Sequence, residues 1–124
     1  MWDRDHAAQA AGIEVVESGE GHARLRFRVR DDMVNGHGIA HGGYVFLLAD
    51  TAFAYACNAY GPMAVARSCH IEFVAPCRAG DVLEADATER MRTGRNGIYD
   101  VAVRRVSDEA LIAEFRGHSR QARS

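Results

Sequence analysis

Hydrophobic and polar positions follow strand-like and helix-like periods along this chain of 124 residues. Alternation is strict in ARLRFRVR (23–30), where Leu25, Phe27 and Val29 share one face and four arginines share the other. This pattern predicts a strand with one buried face. Apolar runs between turn signals predict five more strands, at 13–18, 64–74, 81–92, 97–107 and 110–118. Residues 2–11 predict a short helix, and the glycine-rich segment before residue 42 predicts a loop.

Residues 42–58 predict the one long helix, which is apolar on nearly every side and ends before the turn at Gly61-Pro62. A helix of this kind has to be covered all round. A central helix followed by a meander of antiparallel strands predicts an α+β domain whose five- to six-stranded sheet curls around the helix. We expect a second subunit to cover the remainder, and one domain to span residues 1–124.

The composition of the chain argues against several classes of binding partner and of catalytic chemistry. The formal net charge of −2 gives no indication of a nucleic-acid or anionic-membrane partner. All 15 basic residues are arginine, which excludes lysine Schiff-base chemistry and a P-loop lysine. Three cysteines without CxxC spacing favour reduced thiols in a cytoplasmic protein. Since no stretch approaches the ~20 apolar residues of a membrane span, we expect no membrane segment.

Asp50 interrupts the apolar helix. Burying an ionised carboxylate is costly unless it is paired or hydrogen-bonded. Asp50 is therefore either bonded to a backbone N–H or an arginine, or it is a catalytic base or nucleophile. At the helix start, Gly42 and Gly43 lack a Cβ, and the free N–H groups there can hold an oxyanion. The alternative for these glycines is a tight turn into the helix.

Helix geometry separates the two candidate groups. Gly42 and Asp50 are eight residues apart, which is ~12 Å along a helix axis. One carbonyl needs its oxyanion donor and its attacking group each within ~3 Å. A site built from both groups is therefore shared across a two-fold axis, with Gly42 from one subunit and Asp50 from the other.

The run MVNGHGIAHGGYVFLLADTAFAYACN (33–58) resembles the hotdog-fold acyl-CoA thioesterases of the phenylacetate-pathway type, and so does GIYDVAVRRVSDEALIAEFRGHSR (97–120). The resemblance implies a hotdog fold, dimers that often pair into tetramers, and hydrolysis of acyl-CoA thioesters. It favours phenylacetyl-CoA and its ring-hydroxylated relatives as substrates, and it implies no metal or redox cofactor.

The resemblance also implies roles for individual residues. Asp50 matches the catalytic carboxylate, as base or nucleophile, and Gly42 matches the amide that binds the thioester oxygen. Asn35 matches a loop amide near the carboxylate and the attacking water. His41, in a structural or supporting role, and Gly43 are expected at the substrate-binding loop. Thr51 and Ser68 do not match the hydroxyl that holds the water in some hotdog thioesterases, because each is predicted to point away.

Other polar residues carry weaker signals. Arg90, Arg92 and Arg95 gather near the TGRNG hairpin. They form either a solvated face or a contact with coenzyme A phosphates, for which we favour Arg92 and Arg95. His37 and His41 are spaced like metal ligands but lack a second cluster, so we expect no metal site. The apolar helix around Cys57 disfavours a nucleophilic thiol.

Two other functions remain open from the sequence. A non-catalytic acyl-CoA-binding protein would keep the substrate pocket without turnover that depends on Asp50. A hotdog-fold hydratase or dehydratase generally pairs an acid with a catalytic histidine, and the long helix carries Asp50 but no histidine.

Overall fold

A computed structural model describes residues 2–122. Its elements, in chain order, are a 3-10 turn at Trp2–Arg4, helix α1 (His6–Ala10), strands β1 (Glu14–Gly19) and β2 (His22–Arg28), a 3-10 turn at Asp31–Met33, helix α2 (Gly42–Asn58), and strands β3 (Ala64–Phe73), β4 (Val82–Thr93), β5 (Asn96–Arg105) and β6 (Leu111–Gln121). The predicted α+β class, the long helix and the six strands are confirmed.

The N-terminal segment differs from the prediction of one helix over residues 2–11. Asp5 divides it, because the Asp5 side chain accepts a hydrogen bond from the Ala8 N–H and so caps the start of α1. Aspartate is favoured at such positions because its carboxylate satisfies an N–H that the helix leaves unbonded. Gly12 then turns the chain into β1 with a φ of +73°.

The six strands form one antiparallel sheet in the order β1-β2-β4-β5-β6-β3. β4 and β5 are joined by the two-residue turn Gly94-Arg95, in which Gly94 has a φ of +60°. β3 does not pair with β4, its successor in the chain, but lies at the far edge of the sheet beside β6. β1 and β3 are therefore the two edge strands of the described sheet.

Helix α2 contacts all six strands, so the sheet curls around it. Phe53 of α2 packs tightly on Gly117 of β6, where an added Cβ would lie 2.8 Å from Cζ of Phe53. Phe53 also packs against Tyr99 and Phe115, with ring centroids 5.6 and 5.7 Å away. At its C-terminal end, α2 is tied to β3: the Asn58 amide accepts from the Ala64 N–H at 2.8 Å and donates to the Ala64 carbonyl at 3.1 Å.

One side of α2 is not covered by the sheet. Gly43, Leu47, Asp50 and Ala54 recur every three or four residues and are partly or fully exposed. We call these four residues the open stripe. Since the sheet buries the opposite side of α2, the predicted gap in the cover of the helix is present in the chain, and Asp50 lies within it.

Candidate active site

Asp50 has no side-chain partner in the described part of the chain. It forms no hydrogen bond and no ion pair with any residue between 2 and 122, although its side chain is partly buried. Burial raises the pKa of Asp50, and the negative charge of Asp5 raises it further. The alternative of a carboxylate satisfied by a backbone N–H or an arginine is therefore not found in the described chain.

The negative charge of Asp50 also raises the pKa of two cysteine thiols. Burial is the main cause that raises the pKa of Cys69, and the nearby Asp50 charge adds to it. The same two causes raise the pKa of Cys57 to about 11, with a backbone hydrogen bond working against them. Both thiols are therefore protonated at neutral pH, and a protonated thiol is a poor nucleophile.

The first turn of α2 leaves one amide free. His41 caps the helix: its Nδ1 accepts from the Gly43 N–H at 3.4 Å, and its own N–H donates to the Met33 carbonyl at 2.7 Å. The Gly42 N–H donates to no acceptor in the described part of the chain. Gly42 is also closely covered by Phe73, whose Cζ would lie 3.1 Å from a Cβ at this position.

Asn35 holds the loop that leads into α2. Its Oδ1 accepts from the N–H groups of His37, at 2.9 Å, and Ile39, at 3.2 Å. These two bonds fix the orientation of the side-chain amide. The Nδ2 group donates to none of residues 2–122, so it is free to donate to a ligand or water.

The structure brings some of the predicted residues together and separates others. Asn35, His41, Gly42 and Gly43 all belong to the loop and the helix start, which are joined by backbone bonds. Asp50 lies on the same helix as Gly42 but eight residues further on, which is ~12 Å along the axis and ~80° around it. One chain therefore does not place the two groups on a single carbonyl.

The candidate arginines lie at the other end of α2. Arg92 stacks on Tyr60, with its guanidinium carbon 3.6 Å from the ring centroid. The Tyr60 hydroxyl donates to Glu89 at 2.9 Å, and the Tyr99 hydroxyl donates to the same oxygen at 3.1 Å. Arg95 belongs to the turn between β4 and β5, whereas Arg90 is paired with Asp100 at 3.5 Å. In one chain, Arg92 is thus separated from Gly42 by the length of the helix.

Neither hydroxyl weighed in the sequence lies in a free position near Asp50. Thr51 is buried, and its Oγ1 donates to the Leu47 carbonyl at 2.6 Å. Ser68 is exposed and follows a bulge in β3; it pairs with His118, while the next residue, Cys69, pairs with the inward-facing Gly117. Ser68 therefore lies on the face opposite Cys69, which agrees with the prediction that Ser68 points away.

An apolar cavity of about 380 Å³ adjoins Gly42. Ala40, Val45, Cys77 and Ile112 form its buried floor, and Phe73 and Val74 form its exposed wall. A second cavity, of about 500 Å³, lies on the outer face of the sheet among charged side chains. Several of these side chains already form ion pairs with each other, as Arg116 does with Asp100. We therefore place the candidate site at the first cavity.

Two kinds of feature are absent from residues 2–122. No group of three or more histidine, cysteine, aspartate or glutamate side chains is placed to hold a metal ion. No helix in this range is both long enough and apolar enough to cross a membrane.

Comparison with known proteins places this geometry in a family. The model of the thioesterase superfamily matches residues 37–112. The acyl-coenzyme A thioesterase PaaI of Escherichia coli K12 is 44% identical over 119 residues, which cover 96% of this chain and 84% of that protein. This chain belongs to the thioesterase superfamily.

Solved structures of thioesterase relatives agree in fold. The structure of the E. coli PaaI protein from the phenylacetic acid degradation operon is 42% identical, with a TM-score of 0.97 over 100% of this chain and 89% of that one. A mutant of the phenylacetic acid degradation protein PaaI from Thermus thermophilus is 38% identical, with a TM-score of 0.91 over 95% and 100% of the two chains. The predicted hotdog fold and the resemblance to PaaI-type thioesterases are confirmed.

Sequence reasoning did not identify Phe73 or the cavity beside Gly42. In the sequence, Cys69, Ile71 and Phe73 alternate along the predicted strand at 64–74, and this alternation was the available signal. It did not reveal that this ring covers the first residue of α2, because that contact joins distant parts of the chain.

Proposed function

We propose that this thioesterase hydrolyses acyl-CoA thioesters to a free acid and coenzyme A. The observation that carries the proposal is the carboxylate of Asp50 on the open stripe, which has no partner within residues 2–122, together with the Gly42 N–H, which has no acceptor in the same range. The E. coli relative, named an acyl-coenzyme A thioesterase, supports the same reaction.

Each polar group has a role in this reaction. The Gly42 N–H donates to the thioester oxygen and stabilises the negative charge that develops there. Asp50 takes a proton from the attacking water, or attacks the carbonyl itself to form an anhydride that water then hydrolyses to the free acid. In both routes the bond between the acyl carbon and sulfur breaks, and the thiolate of coenzyme A leaves. The raised pKa of Asp50 makes it a stronger base than an ordinary aspartate. Asn35 donates from Nδ2 to the water, while His41 and Gly43 fix the helix start beside the substrate.

Each site is shared by two copies of the chain. Gly42 of one subunit meets Asp50 of the partner subunit across a two-fold axis, so a dimer has two equal sites. The separation of the two groups along α2 supports this arrangement. So does the edge strand β3, in which Val65 and Phe73 are each 55% exposed. The chain acts as one thioesterase domain over residues 1–124, and two dimers form a homotetramer in the cytoplasm.

The preferred substrates are phenylacetyl-CoA and its ring-hydroxylated relatives. The names of the E. coli and T. thermophilus relatives, which refer to phenylacetic acid degradation, support this choice. Arg92 and Arg95 contact the phosphates of coenzyme A, for which the guanidinium fork is well suited.

The catalytic role is tested with Asp50→Asn, which keeps the shape of the side chain and removes its charge. Release of coenzyme A from a panel of acyl-CoA thioesters should show a kcat lower by at least about 10²-fold. Asp32→Asn, at an exposed acid paired with Arg30, serves as the matched control and should keep wild-type turnover. Equal turnover by wild type and Asp50→Asn would refute the assignment, and binding without turnover in wild type would favour the non-catalytic binder.

The shared site is tested by complementation. Gly42→Pro removes the N–H at the first helical residue, where the helix backbone accepts proline. The Phe73 ring, which is 3.1 Å from a Cβ at this position, has to move slightly to make room. Asp50→Asn and Gly42→Pro should each be inactive alone. If they exchange subunits at random, half of the dimers are mixed, and each mixed dimer has one intact site out of two. Recovery of about a quarter of wild-type activity is therefore expected, whereas a site within one chain would recover none.

A further inference from the structure

Arg92 is held by an aromatic ring and not by an acid. Its guanidinium carbon lies 3.6 Å from the ring centroid of Tyr60, which stands two residues beyond the last residue of α2. Arg92 forms no ion pair and no hydrogen bond within residues 2–122. A guanidinium stacked over a ring makes this contact with its face, so the N–H groups at its edge remain available. The side chain is therefore oriented while its donors stay free.

The Tyr60 ring is itself fixed by a carboxylate. The Tyr60 hydroxyl donates to Oε1 of Glu89 at 2.9 Å, and the Tyr99 hydroxyl donates to the same oxygen at 3.1 Å. Tyr99 is buried, and its ring packs against Phe53 of α2. Burial and the bond to Glu89 raise the pKa of Tyr60, so its hydroxyl stays protonated and remains a donor. Glu89 thus ties the ring beneath Arg92 to the core of the subunit.

Gly21, in the turn between β1 and β2, encloses the same group of side chains. The Glu89 N–H donates to the Gly21 carbonyl at 2.8 Å, and the Gly21 N–H donates to the Ala56 carbonyl of α2 at 3.3 Å. A Cβ at Gly21 would lie 2.9 Å from the Tyr60 hydroxyl oxygen and 3.1 Å from Cβ of Glu89. The backbone of the turn therefore packs directly against the bond between Tyr60 and Glu89, which limits movement of the ring.

The position of Arg92 relative to the proposed catalytic centre matches the distal part of coenzyme A. Asp50 and Asn58, the last residue of α2, are eight residues apart, which is ~12 Å along the helix axis. The subunit that supplies Asp50 therefore also carries Arg92 beyond this end of the helix. The pantetheine arm separates the thioester of coenzyme A from its phosphates, so a phosphate can lie at Arg92 while the carbonyl lies at Asp50.

We propose that Tyr60 is a positioning residue that holds Arg92 ready to bind a phosphate of coenzyme A, and that Glu89 keeps the Tyr60 ring in place. The inference rests on the proposed function, in which Arg92 contacts such a phosphate. It adds the residues that orient this arginine before the substrate binds. Ordering one long side chain on binding weakens affinity about twofold to tenfold, and stacking in the free protein avoids this loss.

The experiment measures binding of coenzyme A itself by isothermal titration calorimetry. Tyr60→Leu removes the ring and should raise the Kd about fivefold, within the range for ordering one arginine. Tyr60→Phe keeps the ring but loses the bond to Glu89, and should raise the Kd about twofold. In the background of Arg92→Ala, Tyr60→Leu should cause no further loss, because it acts through Arg92. In the control background of Arg28→Ala, at an exposed arginine of β2, the full effect should persist.

Kinetics with two thioesters separate positioning from a general loss of structure. Tyr60→Leu should raise the KM for acyl-CoA and leave kcat unchanged. The corresponding N-acetylcysteamine thioester lacks the phosphates, so Tyr60→Leu should hydrolyse it with wild-type kinetics. An equal loss with both thioesters would indicate a structural role alone and would overturn the inference.

A wild type that does not bind coenzyme A would overturn the inference, and so would an unchanged Kd in Tyr60→Leu or a further loss of the same size in the Arg92→Ala background. An unchanged Kd in Tyr60→Phe would overturn the part that concerns Glu89. Binding of coenzyme A that depends on Tyr60 and Arg92, without hydrolysis of any thioester, would support the inference and refute the proposed reaction. The two failures are therefore distinguishable.

Discussion

The imidazole of His41 accepts a hydrogen bond from the N–H of Gly43 across 3.4 Å, and this bond marks the start of α2. Helices more often begin with serine, threonine, aspartate or asparagine in this capping role. Because the cap bonds to Gly43, the N–H of Gly42 stays free for another acceptor. The histidine of the HGG sequence thus has a structural reason to stand next to the candidate oxyanion donor.

Replacing His41 by alanine should remove the cap. The expected loss is about 1 kcal/mol of unfolding free energy, typical of a lost helix cap. Thioesterase kcat should fall about tenfold, because the Gly42 N–H is then less well oriented. Urea unfolding and thiol release measure the two effects. His37→Ala, at an exposed loop position of the same residue type, is the control; equal effects of the two changes would contradict this role.

Substitution can separate the observed loop bonds of Asn35 from its proposed role as a donor to the water. Asn35→Asp keeps an oxygen that can accept from the His37 and Ile39 N–H groups but loses the Nδ2 donor. Asn35→Ala loses both. We expect kcat to fall by at least about tenfold in both variants, since a positioned donor to the water is lost in each. Only Asn35→Ala should also loosen the loop, as measured by faster amide hydrogen exchange at residues 36–40. Full activity in Asn35→Asp would exclude the Nδ2 role.

The raised pKa of Asp50 has a consequence for stability. Between the unfolded pKa and the higher folded pKa, the folded state retains a proton that the unfolded state has lost, so stability falls as the pH rises through this window. Asp50→Asn removes this effect. The variant should have a higher Tm than wild type at pH 7, and the difference should vanish on acidification below ~3.9, the ordinary pKa of aspartate. A difference in Tm that does not change with pH would contradict this account.

The contact with Phe53 leaves no room for a side chain at Gly117. A Cβ at this position would lie 2.8 to 2.9 Å from three atoms of the Phe53 ring. Gly117→Ala should therefore destabilise the protein by about 1–3 kcal/mol, the usual cost of overpacking a core. Gly19→Ala is the matched control, because a Cβ in that strand meets no atom within 4 Å. Equal urea midpoints for the two variants would show that the helix and sheet can move apart at little cost.

Substitution of Arg92 tests whether this residue binds a coenzyme A phosphate or is only part of a solvated surface. If it holds a coenzyme A phosphate, Arg92→Ala should raise the KM for acyl-CoA about tenfold with kcat unchanged. Arg92→Lys should recover part of the loss, since it keeps the charge but not the fork. Arg28→Ala, at an exposed arginine on β2, is the control. Equal changes of KM in the two alanine variants, or no change in either, would show that Arg92 does not bind phosphate. Its role would then be the surface contact with Tyr60.

Local sequence patterns were sufficient for the elements but not for their arrangement. Alternation located the buried face of β2, with Leu25 and Phe27 inside, and the buried Val29 directly after the strand, because period-two patterns report on one strand at a time. The same patterns do not contain strand order, so the pairing of β3 with β6 could not be read from them. The division of the N-terminal helix at Asp5 was also missed, since one local hydrogen bond outweighed a weak helical pattern.

The residues of the candidate site were likewise only partly predictable from the sequence. Asp50 was identifiable because a carboxylate conflicts with its apolar surroundings, and Gly42 because of its place before a long helix. The ring of Phe73 over Gly42, and the apolar cavity beside it, depend on how β3 folds back along the sheet. Such contacts between distant segments have no local signature, and the structure was needed to identify them.

Both ends of α2 are anchored, by His41 at the first residue and by the Asn58 amide on Ala64 at the last. The distance between Gly42 and Asp50 is therefore fixed within each subunit, and movement of the loops does not change it. In a centre formed by two copies, catalytic alignment would depend only on how the copies dock. Substitutions along the outer margin of β3 would then act on turnover through docking geometry, without touching a reacting atom.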